Sequence, residues 1–62
     1  MDMEFVIEYR EFFHDGCGQW HRDSDFSDIT LAQQTYNKNV LEMPECEWRL
    51  FLLIIDHEAE IN

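Results

Sequence analysis

The sequence predicts an α+β fold: a three-stranded antiparallel sheet in spatial order 2-1-3, connected β-β-α-β, with one helix on one face. Three observations lead there. Residues 3–12 alternate apolar and polar side chains, a capped helix signature opens near Ser27, and Pro44 separates that helix from the almost unbroken apolar run "CEWRLFLLII" at 46–55. At 62 residues the chain is expected to form one domain, 1–62. A chain this short buries only about 60% of the surface its unfolded form exposes and does not divide into two cores.

The first strand is "MEFVIEYREF". Met3, Phe5, Ile7 and Tyr9 fall on one side, and Glu4, Glu8 and Arg10 fall on the other with Val6 and Phe12. Asp15-Gly16 and a second glycine at 18 then read as a hairpin turn, because glycine supplies the positive backbone angles that tight turns require. A short return strand, Gln19 to Arg22, follows, with Trp20 directed into the core. Ser27 or Asp28 caps the helix by accepting hydrogen bonds from its first N–H groups. Ile29, Ala32, Tyr36 and Val40 form the apolar helix face, and the helix is expected to end around Asn37 to Asn39.

The third strand carries Trp48, Leu50, Leu52 and Ile54 on one side and Glu47, Arg49, Phe51, Leu53 and Ile55 on the other. One helix covers one of these sets. The uncovered face gathers Phe51, Leu53 and Ile55 with Val6 and Phe12 of the first strand, and exposed apolar clusters of this kind mark interaction sites. A homodimer through this face, or a partner docked on it, is expected. The competing arrangement folds the tail "DHEAEIN", with Ile61, over the same face. Dimerisation is favoured because a core this small gains from a second copy.

Charge narrows the classes of partner. Fourteen carboxylates oppose four basic residues, giving a formal net charge of -10. Such a chain repels nucleic acid and anionic membranes, and scattered cations do not neutralise a phosphate track. The natural partner is a protein with a basic surface. Hydrophobic residues at 45% argue against intrinsic disorder. The acidic start lacks the basic segment of a secretory signal, and the apolar run near the end is far shorter than the roughly 20 residues of a membrane span. A cytoplasmic protein is expected, with Cys17 and Cys46 as free thiols.

No catalytic residues, metal or cofactor are expected. His14, Cys17, His21 and Cys46 are residue types that bind zinc, yet their spacing matches no established paired motif. A Cys17 pair with His14 or His21 lacks an orienting group for the base. The carboxylates are more informative. Asp23, Asp25 and Asp28 cluster between the second strand and the helix, Glu42, Glu45 and Glu47 bracket Pro44, and Asp56, Glu58 and Glu60 recur at every second position. In an extended segment the last set points one way at a spacing of roughly 6.6 Å. A line of charge of that kind fits a basic groove made for nucleic acid.

In size, charge and layout, with "FVIEYREF" as first strand, a hairpin holding Trp20, the helix "SDITLAQQTY" and "CEWRLFLLII" as last strand, the chain resembles the short acidic proteins encoded by bacteriophages. These include host-takeover inhibitors and anti-defence proteins such as anti-CRISPR proteins. The resemblance carries no diagnostic motif. It implies an inhibitor that acts as a DNA mimic in the host cytoplasm, blocking the nucleic-acid site of a nuclease, polymerase or defence effector. Asp23, Asp25, Asp28, Asp56, Glu58 and Glu60 would then steer the encounter, and exposed aromatic residues would supply affinity. The alternative is a small homodimeric structural or regulatory module whose charge only maintains solubility.

Overall fold

A computed structural model of the chain describes residues 2–55 and shows an antiparallel sheet with one helix, an α+β fold in the order β-β-β-α-β. The elements are β1 (Asp2–Phe13), β2 (Gly16–Cys17), β3 (His21–Phe26), α1 (Ile29–Glu42) and β4 (Cys46–Ile55). β1 is central. It pairs with β2 and β3 along one edge and with β4 along the other, all antiparallel. The 2-1-3 order expected of three strands is therefore present, with the second strand broken into two pieces.

The break follows from the turn chemistry. The hairpin loop is His14-Asp15, one residue earlier than expected, and since neither has a positive φ, Gly16 takes it at 150°. Gly18 then donates to the Glu11 carbonyl at 2.7 Å, and a side chain there would meet the Phe13 ring at 2.9 Å. β3 runs from His21 to Phe26 and not from Gln19 to Arg22. Asp23 and Asp25 thus lie in a strand, not in a loop. Pairing with β1 decides this: Phe26 lies opposite Phe5 and Ser24 opposite Ile7, while a bulge accommodates Asp23.

α1 opens on Asp28, whose carboxylate accepts from the Thr30 N–H at 2.8 Å. It continues past the expected stop to Glu42. Asn39 does not end it because its amide donates to Asp23 at 3.1 Å, and its carbonyl accepts from Met43. The Trp48 indole N–H donates to the Met43 carbonyl at 2.9 Å, fixing the turn around Pro44.

Between β1 and β4 ten residue pairs run without a shift, from Asp2 opposite Ile55 to Glu11 opposite Cys46. This register puts Phe5, Ile7 and Tyr9 with Leu52, Leu50 and Trp48 on the face that α1 crosses. Ile7 and Ala32 are fully buried there, and Tyr9 stacks at a tilt between Trp48 and His21, at ring distances of 5.4 and 5.5 Å. α1 begins just after Phe26, beside Phe5, so Met3, Leu52 and Ile54 extend past it and stay exposed. Among the described residues no helix is long and apolar enough to cross a membrane.

Candidate interaction surface

On the face away from α1, the register sets Val6 beside Phe51 and Glu4 beside Leu53, as the strand alternation predicts. Its apolar surface is nevertheless not the continuous one expected. Val6 is 0% exposed, and Phe51 and Leu53 are half-buried. Phe12, 55% exposed, belongs to the far end of the sheet, where it pairs with Cys17 and not with β4. Between Phe12 and the Val6 group stands a charged cluster, so these residues do not form one patch.

That cluster is built by two cross-strand pairs, Glu8 opposite Arg49 and Arg10 opposite Glu47. Arg10 Nε and Nη2 each lie 2.7 Å from Glu47 Oε2, and Arg49 Nε donates to Glu8 at 2.8 Å with Nη2 on the same oxygen. Trp20 does not enter the core as expected. It lies over both guanidinium groups, 4.6 Å from Arg10 and 4.1 Å from Arg49, and Arg49 also sits 5.2 Å from the Phe51 ring. The hydrogen bond from Arg10 to Glu47 raises the guanidinium pKa above its ordinary value, burial opposes this, and the charges of Cys17 and Glu47 reinforce it.

The two remaining cations are also matched: Arg22 lies 3.9 Å from Asp25, and Lys38 lies 3.9 Å from Glu42. Every Lys and Arg of the chain therefore faces a carboxylate, and the net charge of -10 remains on the other acidic side chains. The acidic set at β3 has local duties as well. Asp23 accepts from Ser24 and Asn39, Asp25 faces Arg22, and Asp28 caps α1. Asp56, Glu58, Glu60 and Ile61 lie outside the described residues, so the tail and its possible cover of the sheet face do too.

The zinc-type residues are spread along β1's neighbours. Cys17 lies opposite Phe12, His21 opposite Tyr9, and Cys46 opposite Glu11, while His14 is in the turn. Among the described residues no three His, Cys, Asp or Glu side chains gather as metal ligands, and there is no pocket. Both thiols are free, with Cys17 exposed and Cys46 buried. Burial pushes the Cys46 thiol pKa up, and the charges of Glu45 and Glu11 act in the same direction.

Sequence reasoning missed the Trp20 cluster and the outer edge of β4, which nothing pairs with among the described residues. The signal for the first was present as a repeated Glu-aromatic-Arg triplet, Glu8-Tyr9-Arg10 and Glu47-Trp48-Arg49. Paired antiparallel, two such triplets bring opposite charges face to face. No protein-family model, curated protein or solved structure matches the chain.

Proposed function

We propose that this chain binds a host nucleic-acid-handling or defence protein and inhibits it by occupying a basic surface, in the manner of bacteriophage-encoded acidic inhibitors. The supporting observation is the charge arrangement. Each Lys and Arg side chain faces a carboxylate of the same chain, so among the described residues none is left to offset the excess of negative charge presented to a partner. The flat shape, 45 × 28 × 11 Å, offers broad faces for protein contact.

Asp23, Asp25 and Asp28 form the acidic margin at β3 and the start of α1, and Asp56, Glu58 and Glu60 add charge in the sequence that follows β4. Their contribution is steering, which raises association rate most at low salt. Affinity requires desolvated anchors, for which exposed Phe12 and Phe13 at the hairpin end are available.

The test is affinity capture from nuclease-treated bacterial lysate, comparing the parent chain with a variant carrying the amide at all six acidic positions. Asparagine caps helices as well as aspartate does, so the exchange removes charge and leaves the Asp28 cap. The reading expects nucleic-acid-binding proteins to be captured by the parent and lost with the amide variant. Equal capture by both chains rules it out.

A further inference from the structure

The two outer edges of the sheet are built differently. β3 is short, bulged at Asp23 and lined by Arg22, Asp23 and Asp25, all devices that discourage a further strand from adding. β4 is ten residues long, has no proline or lysine and runs unshifted against β1. Its only charged side chains, Glu47 and Arg49, are already held by Arg10 and Glu8 of β1. Among the described residues, nothing pairs with its outer edge.

The direction of its free backbone groups follows from hydrogen bonds on β1. The Glu11 carbonyl accepts from Gly18, so the odd residues of β1 turn toward β2 and β3 and the even residues turn toward β4. Opposite those even residues stand Glu47, Arg49, Phe51 and Leu53, whose N–H groups are used inside the sheet. Trp48, Leu50, Leu52 and Ile54 therefore aim their N–H and C=O groups outward. Cys46 agrees with this alternation: its N–H bonds to the Met43 carbonyl at 3.2 Å, away from β1.

We propose that a second copy of this chain pairs along this edge, β4 antiparallel to β4 about a two-fold axis through Leu50. Outward residues then meet outward residues: Leu50 faces Leu50, Trp48 faces Leu52, and Cys46 faces Ile54 of the second copy. The helix-bearing faces become one continuous face. Leu52 and Ile54, 45% and 51% exposed, gain cover that the short helix does not give them. On the other face Arg49 comes beside Phe51 of the second copy, extending a contact it already makes within its own chain. No charge meets a like charge in the ladder.

The contact is distinguishable from the proposed binding to a basic protein. Two copies each carrying -10 repel, so added salt strengthens this association and weakens one with a basic partner. The test combines light-scattering mass across a concentration series with amide hydrogen exchange. The proposal expects twice the 7.6 kDa chain mass and slow exchange at Trp48, Leu50, Leu52 and Ile54 as well as at Arg49, Phe51 and Leu53. Leu52→Lys should raise the dimer dissociation constant at least about tenfold by burying an unpaired charge. If that variant does not fold, the exchange pattern of the parent chain decides. A monomer at every concentration overturns the proposal, as does a dimer in which those four outward amides exchange fast. Slow exchange of the four in a monomer also overturns it, because the chain itself then covers the edge.

Discussion

Asp28 shows how one acidic residue serves both charge and structure. Its carboxylate accepts the Thr30 N–H, so Asp28→Ala should cost about 1 kcal/mol in urea unfolding while Asp28→Asn costs little. Equal losses would mean that charge at this position matters more than the cap. The cysteines differ just as sharply. Exposed Cys17 should react rapidly with a disulfide reagent and buried Cys46 only as the fold opens. Because the folded Cys46 pKa is raised above the unfolded value of about 8.5, its contribution to stability is complete below that pH. It is lost as pH rises through the folded value. Stability should therefore fall on the alkaline side, and Cys46→Ala should flatten that part of the curve.

At the scale of elements, the strand alternation in 3–12 and 46–55 was readable because each strand turns one parity of residue to the helix, odd in β1 and even in β4, and the unshifted pairing keeps the two in phase. β3 was not readable beyond its first residues. An edge strand needs few apolar side chains, and Arg22, Asp23, Ser24 and Asp25 resemble a polar loop until Glu8, Ile7 and Val6 of β1 supply partners. The same holds for Asn39, a helix-stopping residue by propensity that Asp23 retains inside α1. The core position expected of Trp20 depends on a return strand from Gln19 to Arg22, and β3 instead begins at His21, after it. The place of Trp20 over Arg10 and Arg49 depends on two strands distant in sequence, although the Glu-aromatic-Arg triplets announced the charge pairs beneath it. Trp20→Leu should cost about 1–2 kcal/mol, the scale of two partly exposed cation–π contacts. A double-mutant cycle with Arg49 should show coupling between the two side chains; strict additivity would contradict the stacking.

For the whole molecule, charge is the dominant property. A net charge of -10 on 62 residues opposes the compact state, while the four ion pairs among the described residues are weakened by screening. Raising NaCl from about 10 mM to about 150 mM shortens the screening length from roughly 30 to 8 Å. The urea midpoint should rise accordingly, and a fall would show that the ion pairs outweigh the repulsion. The acidic surface was legible from composition, because the four cations are too few to offset it anywhere. Less legible was which acidic groups also hold the fold: Asp23 and Asp28 do so through Asn39 and Thr30. The expected single apolar patch failed for the opposite reason, since Phe12 and Val6 share a strand face yet lie on either side of Arg10 and Glu8.

The proposed function requires that this charge occupy a surface made for nucleic acid. The most direct measurement is a competition titration, in which the chain is added to a captured partner already bound to fluorescently labelled nucleic acid and release is followed by anisotropy. Full displacement, with an apparent constant that rises in proportion to the nucleic acid present and weakens with salt, is the predicted result. A ternary complex that retains the nucleic acid at saturating chain would rule out occupation of that surface.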